Sequence, residues 1–156
     1  MTDRSTLLEL AERCEKATGP DRDIDGWIWA HLKVGEPYIV GQEPGRFPQK
    51  PIYGERLDVM RDIPGKDGAD YIGAPAYTAS LDAAMSLAMP HWWWSASAPL
   101  SEAAYGWSRE DQRQPRAGFE MIGEPYSVGA RAATVPLAIC AAALKARANQ
   151  PEDKSQ

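Results

Sequence analysis

Cysteine, histidine and phenylalanine are scarce in this chain of 156 residues, with two of each. His31 and His91 stand apart, and no Cys-x-x-Cys, His-x-His or His-Glu-x-x-His spacing occurs, so the sequence offers no zinc motif. Cys14 and Cys140 make no disulfide framework, although a single bridge between them is compatible with the sequence alone. Each falls on the apolar stripe of a predicted helix, and we expect both to be reduced core residues.

Long apolar runs and an excess of basic residues are also absent. No stretch approaches the roughly 18 apolar residues of a membrane span, and we expect neither a signal peptide nor a membrane partner. The net charge of −5 argues against broad nucleic-acid binding, although it is compatible with a local basic pocket. We expect a cytoplasmic protein with one domain over residues 1–149 and a flexible tail over 150–156.

Four segments have the spacing of an amphipathic helix. Asp21 is a predicted N-cap of the second helix, Thr78 or Ser80 of the third, and Thr134 of the last. The predicted inner stripes are, in chain order, Leu7, Leu10, Ala11 and Cys14; Ile24, Trp27, Ile28, His31 and Leu32; Leu81, Ala84, Met85 and Ala88; and Leu137, Cys140, Ala141, Leu144 and Ala148.

Residues 33–76 contain six prolines and seven glycines, which prevent long regular elements. They are also too hydrophobic for a disordered linker, so we predict an ordered excursion with short strands near residues 38–40 and 57–61. Further strands are predicted at residues 91–98, 103–108 and 119–122, and residues 126–128 continue the last of these. The apolar stripes of the helices and the apolar side of the sheet must bury each other. This predicts an α+β fold with a small antiparallel sheet covered by helices.

Catalytic and cofactor motifs find little support. Asp21–Gly26 matches the first half of a calcium-binding EF-hand loop, but the twelfth position, which requires a glutamate, is Leu32. No P-loop, Gly-x-Gly-x-x-Gly or Gly-x-Ser-x-Gly occurs. We therefore expect no cofactor and no enzyme activity, while catalysis by a pair of carboxylates stays open because any two of 22 acids can meet in space.

The aromatic run Trp92-Trp93-Trp94 is the most distinctive feature of the sequence. Alternation along a strand puts Trp93 on the face opposite its two neighbours. Most of these aromatic rings are expected to pack in the core, and most of the nearby arginines are expected to be solvated. Aromatic rings also stack on nucleotide bases, however, and the arginine guanidinium binds phosphates. The candidate ligand-binding residues are Trp93, Tyr105, Trp107, Arg109, Arg116, Tyr126 and Arg131.

Three blocks of the sequence, at residues 17–25, 77–84 and 136–148, resemble small bacteriophage proteins that carry the phage α-β-α sandwich domain. The order of the blocks and the tryptophan-containing strands before the last block match the family pattern. The resemblance implies an α-β-α sandwich and a phage or prophage origin. It implies no catalytic residues, and it does not cover the excursion at residues 33–76.

These observations favour a non-enzymatic phage protein that sequesters a nucleotide-derived signal of host immunity, such as a cyclic dinucleotide or a relative of cyclic ADP-ribose. Its partners would be this small nucleotide-like ligand and a second copy of the chain, in the cytoplasm of an infected bacterium. Two alternatives remain open. One is an interaction module that binds a host or phage protein through residues 33–76, and the other is a nucleotide-degrading enzyme.

Overall fold

The fold is mixed α+β, which confirms the predicted class. The computed structural model describes residues 3–34, 36–45, 47–62, 68–88, 92–97, 116–121 and 127–150. The helices in these ranges are α1 (Arg4–Lys16), α2 (Arg22–Leu32), α3 (Arg56–Asp62), α4 (Gly68–Tyr71), α5 (Leu81–Met85) and α6 (Val135–Ala148). The strands are β1 (Tyr38–Gln42), β2 (Pro51–Gly54), β3 (Trp92–Ser97), β4 (Arg116–Met121) and β5 (Ser127–Arg131).

The chain divides into two compact units. One unit runs over Arg22–Pro75 and contains α2, the two-stranded β1–β2 sheet, α3 and α4. The other contains α1 together with the chain from Ala76 onwards, which supplies α5, the three-stranded sheet and α6. The expectation of one domain over residues 1–149, and the layering implied by the phage-protein resemblance, stay predictions.

Helix α6 is the centre of the second unit. It packs against α1, α5 and all three strands of the β3–β4–β5 sheet. Every residue from Leu137 to Leu144 is buried, which is the pattern of a helix with neighbours around its whole circumference. As predicted, Thr134 caps the helix, because its Oγ1 accepts the Leu137 N–H at 3.4 Å.

Helix α1 buries the predicted stripe of Leu7, Leu10, Ala11 and Cys14. Cys14 and Cys140 are both buried and neither forms a disulfide, so the expectation that both are core residues is confirmed. The Cys140 thiol donates to the Tyr77 carbonyl over 3.1 Å.

Two polar contacts anchor the segments that flank α5. The Thr78 hydroxyl accepts the Asp21 N–H at 2.8 Å and donates to the Asp21 carbonyl at 3.2 Å. The Arg147 guanidinium donates twice to the Leu87 carbonyl, at 3.0 and 2.8 Å, and burial lowers the pKa of Arg147. These hydrogen bonds to backbone groups hold the chain in place before and after α5.

Helix α5 departs from its predicted stripe. Ser80 is the N-cap, but the helix ends at Met85, so its period does not continue to Ala88. The chain turns after Met85 and buries Leu87, whereas Leu81 is exposed. The prediction that Leu81 faces inward is therefore wrong.

The three-stranded sheet is antiparallel throughout, with the order β3–β4–β5. Residues 119–121 lie in a strand as predicted. Residues 127 and 128 do not continue that strand but begin β5, which runs back along β4. The predicted strand at residues 103–108 lies outside the described residues.

In the first unit, residues 57–61 form helix α3, and the prediction of a strand there is wrong. The backbone N–H of Val59 donates to the Glu55 carbonyl over 3.2 Å, which is a helical hydrogen bond, and Met60 is buried. Helix α2 forms as predicted and buries Ile24 and Ile28 of the predicted stripe, but the rest of that stripe is not fully buried. Trp29 is buried, whereas Trp27 and His31 are half-buried and stack with their ring centroids 5.8 Å apart.

The hairpin formed by β1 and β2 is tied to α2 through Arg56. The Arg56 guanidinium lies 4.9 Å from the ring centroid of Trp29 and 5.3 Å from that of Tyr38. The two rings meet edge to face with their centroids 5.0 Å apart, and the Tyr38 hydroxyl donates to the Ile72 carbonyl at 2.9 Å. The contacts of the guanidinium with both rings and the hydrogen bond of the tyrosine hydroxyl thus hold the base of the hairpin.

Candidate ligand-binding face

The strand register sorts the β3–β4–β5 sheet into two faces of opposite character. Residues directly opposite each other across antiparallel strands share a face, and successive residues along a strand alternate between faces. One face, termed the apolar face, carries Trp92, Trp94, Ala96, Ala117, Phe119, Met121, Val128 and Ala130. The other, termed the polar face, carries Trp93, Ser95, Ser97, Arg116, Gly118, Glu120, Ser127, Gly129 and Arg131.

Exposure along β5 shows which face is covered. Ala130, on the apolar face, is 7% exposed, whereas its neighbours Gly129 and Arg131 are exposed. Helix α6 contacts all three strands, so it covers the apolar face. In β5 the polar face is therefore turned away from the core.

Three rows cross the polar face. Ser97, Arg116 and Arg131 form the first, here called the arginine row, with Arg116 directly opposite Arg131. Ser95, Gly118 and Gly129 form the next, here called the glycine row, and the third row is Trp93, Glu120 and Ser127. The arginine row and the Trp93 row lie four residues apart along a strand, which is about 13 Å.

The glycine row makes the middle of this face shallow. Gly118 and Gly129 are direct partners, so neither strand contributes a Cβ atom there. Glycine in a strand interior weakens the sheet and often marks a place where a ligand or another backbone approaches closely. The polar face thus combines an aromatic residue at one end and two arginines at the other, with two glycines between them.

The candidate residues fall into two groups. The register brings Trp93, Arg116 and Arg131 onto one face. Of the remaining candidates, none belongs to the described residues, so their roles stay predictions; they are Tyr105, Trp107, Arg109 and Tyr126.

Two features of the molecule escaped the sequence interpretation. The glycine row was missed because it exists only once β4 and β5 are paired, although glycines inside predicted strands are a recognisable signal. Arg56 was missed because its helix was read as a strand, and no sequence pattern connects it to Trp29 and Tyr38.

A second distinctive surface is the β1–β2 hairpin. Ile39 and Tyr53 are direct partners on its outer side and are 53% and 61% exposed. Val40 and Ile52 are also exposed, and Phe47 in the connecting loop is fully exposed. Several exposed apolar side chains on one small element are typical of a binding surface.

The start of α2 carries the acidic residues that match the first half of an EF-hand loop. Asp25 is buried and its Oδ2 lies 2.9 Å from Nη1 of Arg22, so the acid at the start of α2 is held by an ion pair. No group of three or more histidine, cysteine or acidic side chains that could hold a metal ion occurs in the described ranges. Nor does any helix in those ranges combine the length and apolarity needed to cross a membrane.

Comparisons with protein-family models, curated proteins and solved structures find no match to this chain.

Proposed function

We propose that the chain is a phage protein that binds a phosphate-bearing, nucleotide-derived ligand on the polar face of the three-stranded sheet and sequesters it unchanged. Trp93 stacks on the base, and Arg116 and Arg131 bind the phosphates. The observation that carries this proposal is the shared face of one aromatic residue and two arginines, with the glycine row between them. The phage origin comes from the resemblance of the three sequence blocks.

The dimensions of the face suit such a ligand. About 13 Å separates the Trp93 row from the arginine row, which is the scale of a nucleotide measured from its base to its outer phosphates. A planar base needs a ring, and phosphates need donors in a fork arrangement. The glycine row lets the sugar approach the backbone without meeting a Cβ atom.

Isothermal titration of the folded chain against a panel of cyclic dinucleotides and cyclic ADP-ribose isomers tests the proposal. We expect saturable heat with at least one member, and chromatography after denaturing the complex should recover that ligand intact. If folded protein gives no heat with any member, the proposal fails. If the ligand is recovered as product, the chain is a nucleotide-degrading enzyme and sequestration is wrong.

The exposed hairpin favours a second candidate function, which is binding of a host or phage protein through residues 33–76. Its support is the row of exposed apolar side chains on both strands. Capture from infected cells should recover a stoichiometric partner that an Ile39→Ser/Tyr53→Ser variant loses. A Leu8→Ser variant is the matched control, because Leu8 is an exposed apolar residue on α1. Equal loss in both variants, or capture without a partner, would exclude this function.

A further inference from the structure

One face of the β1–β2 hairpin is mostly apolar and exposed. Ile39 is paired with Tyr53 and Gln42 with Pro51, and Pro51 and Tyr53 share a face because residues alternate along β2. The four side chains therefore lie on one face, here called the hairpin outer face. All four are exposed, and none of the four is charged.

The opposite face of the hairpin already has its contacts. Tyr38 meets the ring of Trp29 and the guanidinium of Arg56 there. Val40 lies over Gly54, so closely that a Cβ atom at position 54 would be 2.9 Å from Cγ1 of Val40. A two-stranded hairpin is marginally stable by itself and gains stability when a further layer covers its apolar face. The hairpin outer face is the side on which such a layer can still pack.

The edges of this small sheet are poor sites for adding a strand. Pro51 in β2 has no N–H to donate, and β1 bulges between Ile39 and Gly41. Proline and bulges are the devices by which edge strands avoid pairing with another chain. A partner should therefore pack its side chains on the hairpin outer face and not extend the sheet.

The loop of the hairpin carries a projecting ring beside a hollow. Phe47 is fully exposed, and the hollow next to its ring has a volume of about 330 Å³. The hollow is lined by Phe47, Pro48, Gln49, Lys50 and Pro51. Its volume is at the small end of the range for ligand pockets, about 300–1,000 Å³, which suits an inserted side chain. A projection and a hollow on the same patch are what a two-fold contact between identical chains requires, because each copy supplies both.

The charges also favour a second copy at this surface. Residues 38–54 contain one acidic and two basic residues, whereas the whole chain has a net charge of −5. Two copies therefore repel each other through the rest of the chain but not through the hairpin. Apolar burial must supply the attraction, and salt should strengthen it by screening the repulsion. A partner recognised by opposite charge would show the reverse dependence on salt.

We infer that the hairpin outer face and the Phe47 loop form a two-fold dimer interface between two copies of this chain. Phe47 of each copy enters the hollow of the other, and Tyr53 packs against Ile39 of the second copy. A hairpin is smaller than the 20–30 residues, roughly, that each partner gives to a standard interface, so the dimer is weak and depends on concentration. The inference does not rest on nucleotide binding, which concerns the three-stranded sheet.

Sedimentation equilibrium of the purified full chain tests the dimer, from about 10 µM to about 1 mM protein. We expect the average mass to rise from that of one chain towards that of two. Phe47→Ser/Tyr53→Ser should weaken association at least tenfold, with circular dichroism showing that the variant is folded. Leu8→Ser/Leu81→Ser is the matched control, because it removes two exposed apolar side chains that lie outside the hairpin, and its association should equal that of the parent.

The same measurement at low and high sodium chloride gives a second readout, and we expect association to tighten with salt. A chain that stays monomeric up to about 1 mM, or equal losses in the two variants, would overturn the inference. Masses beyond two chains would overturn the two-fold arrangement, and weaker association at high salt would overturn the apolar contact. If the pure chain is monomeric and infected cells yield a stoichiometric partner on the hairpin, the second candidate function is correct and the dimer is wrong.

Discussion

A side chain introduced into the glycine row should weaken ligand binding and at the same time raise the stability of the fold. Gly129 is exposed in β5, and its direct partner Gly118 has no Cβ atom, so a valine at position 129 has room on the polar face. Replacing glycine by a β-branched residue in a strand stabilises by about 1 kcal/mol. The three added carbon atoms, however, occupy the floor between Trp93 and the arginine row. We therefore expect Gly129→Val to raise stability and to weaken nucleotide binding at least tenfold, equivalent to about 1.4 kcal/mol.

Urea denaturation and isothermal titration measure these two opposite effects on the same sample. Gly41→Val is the matched control, because Gly41 lies in β1 and a Cβ atom there meets nothing within 4 Å. It should leave nucleotide affinity unchanged. Unchanged nucleotide affinity in Gly129→Val would refute the placement of the ligand across the glycine row.

Three further changes test the packing and the hairpin. Leu144→Ala should destabilise by about 3 kcal/mol in urea denaturation, because Leu144 is 0% exposed in α6; a loss under about 1 kcal/mol would contradict its burial. Arg56→Lys should cost about 1 kcal/mol, because it loses the contacts of the guanidinium with Trp29 and Tyr38, although it also removes a buried Nε that has no hydrogen-bond partner among the described residues. Amide exchange of β1 should rise, and an unchanged rate would contradict the role of Arg56 in holding the hairpin. Phe47→Ser should change stability by less than about 0.5 kcal/mol, because Phe47 is fully exposed; a larger loss by thermal unfolding would show that it is packed.

Long periodic segments were the part of the fold that sequence could predict. The stripes of α1 and α6 repeat over three or more turns, so their spacing outweighs local irregularities. The prediction of a strand at residues 57–61 was wrong because a helix of seven residues, Arg56–Asp62, offers too few repeats to distinguish it from a strand. In α2, spacing identified the helix and the burial of Ile24 and Ile28, but it missed Trp29, whose ring contacts Tyr38 and Arg56 from elsewhere in the chain.

The candidate site could be predicted in its residue types but not in its arrangement. Alternation along one strand was enough to separate Trp93 from Trp92 and Trp94. Nothing local in sequence sets the register between strands, so the pairing of Arg116 with Arg131 was not foreseeable. Register depends on the turn and on the face buried beneath α6, both of which are properties of the folded chain.

Removing both arginines tests the central claim most directly. Calorimetry should compare the parent chain with an Arg116→Gln/Arg131→Gln variant, shown to be folded by circular dichroism, against the same nucleotide panel. The account predicts that the parent binds at least one nucleotide of the panel and that the variant binds it at least a hundredfold more weakly. Equal affinity in the two proteins, or no binding by the folded parent, would contradict it.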